Sequence, residues 1–233
     1  MRIAGLQKCT LLDYPGEMAC TVFLPGCNFR CPFCHNFELI QAPETLMDEA
    51  EVLSCLKKRQ GLLEGVCITG GEPTLHGDLP ELLQQIRSLG FAVKLDTNGY
   101  RPDVLRAIVD DGLVDYVAMD VKNSPEDYGA TCGLEHFDSA KIEESILLLL
   151  EGKIDYELRT TVCKPLHNRQ SIQNMASWLQ NLSKSRAKRL FIQPFVDRDT
   201  VPFAGLSAPD KAELEEYRAI LSVSAEQVAI RGI

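Results

Sequence analysis

Positive charge is scarce in this sequence: 24 Lys and Arg stand against 33 Asp and Glu, for a net charge of −9. A surface that binds nucleic acid needs concentrated Lys and Arg to neutralise phosphates, so polynucleotides are not expected partners. The one basic run, Lys184-Ser185-Arg186-Ala187-Lys188-Arg189, reads as a solvated helix end and loop. Long apolar runs are missing too. The greasiest stretch, Ile146 to Leu150, falls far short of the ~20 residues that span a bilayer. Met1 to Thr10 has no apolar core of the kind a signal peptide carries, so no membrane association is expected. A disulfide framework is excluded as well, because the nine cysteines are odd in number and three of them are clustered. A reducing cytoplasm is the expected location. Cys9, Cys20, Cys55, Cys67, Cys132 and Cys163 are scattered, and most of them read as small buried hydrophobes. Nor is there a low-complexity stretch or a compositional break, so residues 1–233 are expected to form a single domain.

What the sequence does contain is a regular alternation of short apolar strands and amphipathic helices. Leu11-Leu12-Asp13-Tyr14-Pro15-Gly16 ends in a turn signal ahead of a strand from Ala19 to Leu24. A helical pattern runs from about Leu46 to Arg59, and Gly65 to Thr69 is a second strand closed by Gly70-Gly71-Glu72-Pro73. Asp78, with Glu81 three residues on, reads as a capped helix start. Further strands are expected at Phe91–Leu95, Val114–Met119, Asp155–Val162 and Leu190–Pro194, with a possible last one at Val228–Arg231. Helices are expected at about Pro102–Asp111, Ser139–Glu151, Ser171–Leu182 and Pro209–Leu221. About six strand–helix units are fewer than the eight that close a (β/α)₈ barrel. The expected fold is therefore α/β, a partial, open TIM-like barrel of parallel strands with a cysteine loop after its first strand.

The unusual residues fall just after strands. Cys27, Cys31 and Cys34 follow the first, Gly70-Gly71-Glu72 the second, Asp96-Thr97-Asn98-Gly99 the third and Asp120-Val121-Lys122 the fourth. In parallel α/β folds those strand ends share the face on which sites are built. Three cysteines within eight residues can ligate a four-iron cluster that leaves one iron open to a chelating substrate or cofactor. Two other readings compete. His35 would complete a zinc site, though its adjacency to Cys34 is cramped for a tetrahedron. An electron-transfer ferredoxin would need a fourth cysteine. His76, His136 and His167 have no evident partners and read as loop polar groups.

Cys-x-x-x-Cys-x-Phe-Cys after the first strand and Gly-Gly-Glu-Pro after the second resemble the radical S-adenosylmethionine superfamily. Asp13-Tyr14-Pro15-Gly16, the run from Phe23 to Asn36, Asp96-Thr97-Asn98-Gly99 and Asp120-Val121-Lys122 are similar to the glycyl-radical-enzyme activating enzymes, above all those of anaerobic ribonucleoside-triphosphate reductase. The resemblance implies that Cys27, Cys31 and Cys34 ligate a [4Fe–4S] cluster and that S-adenosylmethionine chelates its fourth iron. It further implies that Phe33 packs on the adenine and that Gly70 and Gly71 bond the methionine end. Glu72 would meet the ammonium group, and Lys122 and Arg159 the carboxylate. His35 and Asn98 join the cofactor-binding set. Asp96, Thr97 and Asp120 would hold a monovalent cation.

The activity so implied is that of an oxidoreductase. An electron from a flavodoxin- or ferredoxin-type donor cleaves S-adenosylmethionine to a 5′-deoxyadenosyl radical. That radical takes a hydrogen from a glycine of a partner enzyme, expected to be anaerobic ribonucleotide reductase. Two alternatives are a radical enzyme acting on a small molecule or peptide, such as a deazapurine-forming one, and a non-enzymatic iron–sulfur or zinc protein. The pattern departs from that of the pyruvate formate-lyase activators at the sixth strand, where Pro194-Phe195-Val196 stands in place of a run ending in histidine.

Overall fold

A computed structural model describes residues 1–41, 43 and 45–232. In chain order the elements begin with β1 (Arg2–Ile3), β2 (Gly5–Thr10), β3 (Ala19–Leu24), β4 (Met47–Asp48), α1 (Glu49–Lys57), β5 (Gly65–Gly70) and α2 (Leu79–Ser88). There follow β6 (Ala92–Thr97), α3 (Pro102–Asp110), β7 (Tyr116–Asp120), α4 (Pro125–Cys132) and α5 (Ser139–Leu150). The last are β8 (Asp155–Val162), α6 (Arg169–Leu182), β9 (Ala187–Pro194), α7 (Lys211–Leu221) and β10 (Ala225–Ile230). The chain divides into two compact units. One holds Met1–Asn28, Asn36–Ala118 and Lys153–Asp155; the other holds Phe29–His35, Met119–Gly152 and the chain from Tyr156 onward.

In the first unit β3 pairs parallel with β5 and β5 with β6, while β2 lies antiparallel along β3. In the second, β8, β9 and β10 run parallel. β2 and β10 each have one neighbour, so the mostly parallel sheet keeps free edges and does not close, as expected of a partial barrel. The strands read as nearly continuous apolar runs because helices cover them. In β3 only Phe23 escapes full burial, and Val66, Cys67 and Ile68 of β5 are all buried. α2 turns Leu79, Leu82, Leu83 and Ile86 inward, the i, i+3, i+4, i+7 stripe of an amphipathic helix. Capping boxes, Asn168 with Ser171 and Asp210 with Glu213, start α6 and α7.

Three local expectations fail. Asp78 makes no side-chain cap bond to α2; its carboxylate lies 3.4 Å from the amino group of Met1. The basic run is half strand: α6 ends at Leu182, β9 begins at Ala187, and Arg186 donates to the carbonyls of Ser222 and Ala225. β2 and α4 have no counterpart in the sequence reading. β2 is a largely exposed edge strand, and α4 is short, with Gly129 inside it.

The Asp-Tyr-Pro-Gly turn has a packing role. The Tyr14 ring is buried among the first residues of the strands, with Ala19, Ala92, Tyr116 and Ala118 around it. A Cβ on Gly65 would stand 2.7 Å from that ring, so the glycine leaves the room that the tyrosine occupies. Gly65→Ala is expected to destabilise the protein by about 1–3 kcal/mol through overpacking, measured as a shift of the urea midpoint. Adding Tyr14→Leu should recover part of that loss; strictly additive losses would contradict the clash.

Candidate active site

In the first unit the ends of β3 and β5 touch backbone to backbone. The Gly71 N–H donates to the Leu24 carbonyl at 2.8 Å and the Glu72 N–H to the Gly26 carbonyl at 2.8 Å. A Cβ on Gly71 would lie 1.9 Å from the Gly26 oxygen, and one on Gly70, which has φ +118°, 2.3 Å from the Leu24 oxygen. Only glycines permit this approach. Their first service is thus to fix the stem from which Cys27 projects, and the Gly71 N–H is committed there. Asn36, just past the cysteine loop, donates to the Gly70 carbonyl at 3.3 Å.

Glu72, expected to meet a ligand's ammonium group, is bonded within the chain. It is 1% exposed. Its carboxylate accepts from the Thr74 N–H (3.1 Å) and hydroxyl (2.6 Å), the Thr97 hydroxyl (2.8 Å) and the Asn98 N–H (2.7 Å). Burial raises its pKa above the ordinary carboxylate value, against the pull of these bonds. The residue ties the turn after β5 to the turn after β6. Asn98 extends the tie: its amide donates at 2.8 Å to Asn28, the residue after Cys27, and its side-chain oxygen accepts from the Tyr100 N–H.

The residues expected to hold a monovalent cation make bonds within the chain. Asp96 is ion-paired with Lys94, two residues earlier on the same side of β6, and accepts from the Thr69 hydroxyl at 3.2 Å. The Thr97 hydroxyl donates to Glu72 and accepts from the Gly99 N–H. Asp120 is bonded by Lys122 and Arg159. Lys94, 1% exposed, went unnoticed; a lysine inside the apolar run Ala92-Val93-Lys94-Leu95 was the available signal.

The second unit gathers four of the expected residues. Lys122 Nζ lies 2.8 Å from Asp120 Oδ2, and Arg159 Nε lies 2.9 Å from Asp120 Oδ1. Lys122 Nζ also stands 5.9 Å from the centre of the buried Phe33 ring. Burial opposes the charge on Asp120, but Arg159 and Lys122 prevail and hold its carboxyl down to about 2. Burial likewise opposes the Lys122 ammonium, yet the Asp120 carboxylate holds it above the ordinary lysine range. Two cations on one carboxylate leave a net positive charge beside Phe33.

His35 lies apart from that group: Nε2 is 2.7 Å from the Val196 carbonyl and the ring stacks on Phe195 at 5.9 Å. A histidine ring therefore does meet residue 196, from the cysteine loop rather than from the strand end. His167, read as a loop polar group, is instead buried. Its Nε2 is 2.8 Å from the Lys122 carbonyl, its Nδ1 3.1 Å from the Cys163 N–H, and its ring is edge-on to Phe33. Burial lowers its pKa, favouring the neutral ring that suits both contacts. The end of α4 braces the loop as well, since the Arg30 N–H donates to the Cys132 carbonyl at 2.8 Å. A Cβ on Gly133 would meet the Arg30 oxygen at 2.5 Å.

Cys27, Cys31 and Cys34 are in no disulfide, so all three can ligate an iron–sulfur cluster as thiolates. Burial pushes Cys20 and Cys163 up to about 12 and Cys132 to about 11, leaving them unreactive.

The Asp120 pair carries a pH signature. A carboxylate whose pKa is depressed from about 3.9 in the unfolded chain contributes stability that is full above that value. The contribution is lost as pH falls toward about 2. Asp120→Asn should therefore be less stable than the parent at neutral pH, with the two denaturation free energies converging below pH ~4. A constant gap across the acid range would show that the pairing contributes nothing.

The family model described as the radical SAM superfamily matches residues 21–179. Over 99% of its length the chain is similar to a Methanocaldococcus jannaschii protein whose name places it among glycyl-radical enzyme activating enzymes. The two are 29% identical over 238 residues, covering 96% of that relative. A 7-carboxy-7-deazaguanine synthase of Methanopyrus kandleri is 31% identical over 180 residues, spanning 66% of this chain and 70% of the relative. Among solved structures, a domain of pyruvate-formate lyase-activating enzyme from Bacteroides vulgatus aligns with a TM-score of 0.59 at 19% identity. That alignment covers 72% of this chain and 99% of the other, a likeness of fold. Matched across most of its length by the family model, and carrying the three-cysteine loop on an open α/β sheet, the chain belongs to the radical S-adenosylmethionine superfamily, enzymes whose cofactors are a [4Fe–4S] cluster and S-adenosylmethionine.

Proposed function

We propose that the protein is an activating enzyme that installs a glycyl radical on a partner enzyme, anaerobic ribonucleoside-triphosphate reductase in the first instance. The observation that carries this reading is the similarity to an activating enzyme along 99% of the chain. When bound and reduced by a flavodoxin- or ferredoxin-type donor, the cluster and S-adenosylmethionine supply a 5′-deoxyadenosyl radical that takes one hydrogen atom from the glycine α-carbon.

The residues of the chain hold and orient. Cys27, Cys31 and Cys34 ligate three irons and leave the fourth for the cofactor. The positive excess of Lys122 and Arg159 over Asp120 meets the cofactor's carboxylate. Phe33, backed by His167, gives the adenine an apolar face. Gly70 and Gly71 keep the cofactor's side of the turn free of side chains while they brace Cys27. Asn98 and His35 steady the loop from its two ends. A second reading, a small-molecule substrate, draws on the deazaguanine synthase relative.

An anaerobic assay separates the readings. The reconstituted, reduced protein is expected to form 5′-deoxyadenosine from S-adenosylmethionine, with the yield abolished in Cys34→Ala. With the reductase present, electron paramagnetic resonance should record a glycyl doublet. Deoxyadenosine without a doublet on any anaerobic reductase of the same cell would reject the activase reading and favour a small substrate.

A further inference from the structure

A cavity of about 220 Å³ lies in the second unit at the C-terminal ends of β8 and β9, lined by His35, Thr161, Gln193, Val196, Arg198 and Arg231. Its polar lining is dominated by donors. Arg231 forms a fixed wall: its guanidinium makes two 2.7 Å bonds to the buried Glu157 and lies 3.3 Å over the Phe191 ring. Arg198 at the rim has no side-chain partner among the described residues, nor do Thr161 and Gln193. Asp197 and Asp199 flank Arg198 in sequence, yet no carboxylate lines the cavity. A recess with unspent donors and no acceptor charge suits an oxyanion.

Size and surroundings narrow the occupant. The volume is below the roughly 300 Å³ at which pockets begin to enclose whole small ligands, so it fits one charged end of something larger. A second cavity, of about 510 Å³, shares Pro194, Val196 and Gly232 with the first and is bounded further on by Phe195, Ala208, Pro209 and Leu214, with Lys211 its one charged residue. A donor-lined recess opening into a mostly apolar trough matches an extended chain with an acidic side chain beside an apolar one. His35, which follows Cys34, puts this recess next to the cysteine loop.

We propose that the recess anchors a carboxylate side chain of the polypeptide that presents the target glycine, while the trough takes a neighbouring apolar residue. The proposal rests on the activase reading and names how that site would recognise its partner.

The test uses the reconstituted holoenzyme and two fluorescent peptides, N-acetyl-Gly-Glu-Leu amide and its Gln counterpart, with inorganic phosphate as competitor. Fluorescence anisotropy should show the Glu peptide binding about tenfold or more tightly than the Gln peptide, the worth of one charge-assisted contact. Arg198→Gln should erase that preference while leaving partner-free deoxyadenosine formation, and its dependence on S-adenosylmethionine concentration, unchanged. Equal binding of the peptides, no binding of either, or a preference that survives Arg198→Gln would overturn the proposal. So would phosphate displacing the peptide as well as free Glu peptide does, which would make this a free-anion site. A weakened response to S-adenosylmethionine in Arg198→Gln would assign the recess to the cofactor, again overturning it. A wild-type enzyme that makes no glycyl radical yet prefers the Glu peptide would sink the activase reading separately.

Discussion

The cysteine loop depends on a contact with no room in it. At the ends of β3 and β5, the Gly70-Gly71 backbone lies so close to Leu24 and Gly26 that a single methyl group on Gly71 would fall 1.9 Å from a carbonyl oxygen. Hydrogen bonds from Gly71 and Glu72 hold the two chains at that spacing. The cysteine that follows Gly26 is therefore positioned by main chain rather than by side chains, and main chain has few alternative states once its bonds are made. From there Glu72 carries the constraint across to β6 through Thr97 and Asn98, and Asn98 returns it to Asn28 beside Cys27. Burying a carboxylate is expensive unless every lone pair finds a donor. Glu72 finds four, so loss of any one leaves a charge partly stranded, and the network behaves as a unit.

The second unit works by charge rather than by close approach. Asp120 draws Lys122 and Arg159 to one spot, and the remaining positive charge sits beside the aromatic ring of the cysteine loop. A positive site that is rigid before a ligand arrives need not reorganise to receive one. His167 contributes to that rigidity from beneath, as a neutral ring bonded to the Lys122 carbonyl and packed against Phe33. Lys94 pairs with Asp96 in the first unit, as Lys122 and Arg159 do with Asp120 in the second.

Much of this was legible in the sequence, and the reasons are specific. Apolar strands and striped helices announce themselves through periodicity, and in a parallel sheet the residues after each strand fall on one side. Hence Gly70-Gly71-Glu72, Asp96-Thr97, Asp120-Lys122 and Arg159 could be expected on one face from the sequence. The direction in which a charged side chain is spent was not legible. Glu72 and Lys122 both follow strands, yet one is engulfed by threonine and main-chain donors while the other stands in an ion pair. Its partners Thr97 and Asn98 are 25 and 26 residues away, beyond any local pattern. His167 was missed for a similar reason, because its contacts are carbonyl and N–H groups that carry no sequence signature. β2 and α4 escaped because an exposed edge strand and a short helix with a glycine inside it lack the apolar rhythm that reveals the others.

The central claim is that a three-cysteine loop, held by backbone contacts, presents a cluster with one iron left for the cofactor. Mössbauer spectroscopy on protein reconstituted with ⁵⁷Fe tests it most directly. Addition of S-adenosylmethionine should shift the signal of one iron of the four and leave the others in place. Four irons that respond alike, or none that responds, would contradict the account.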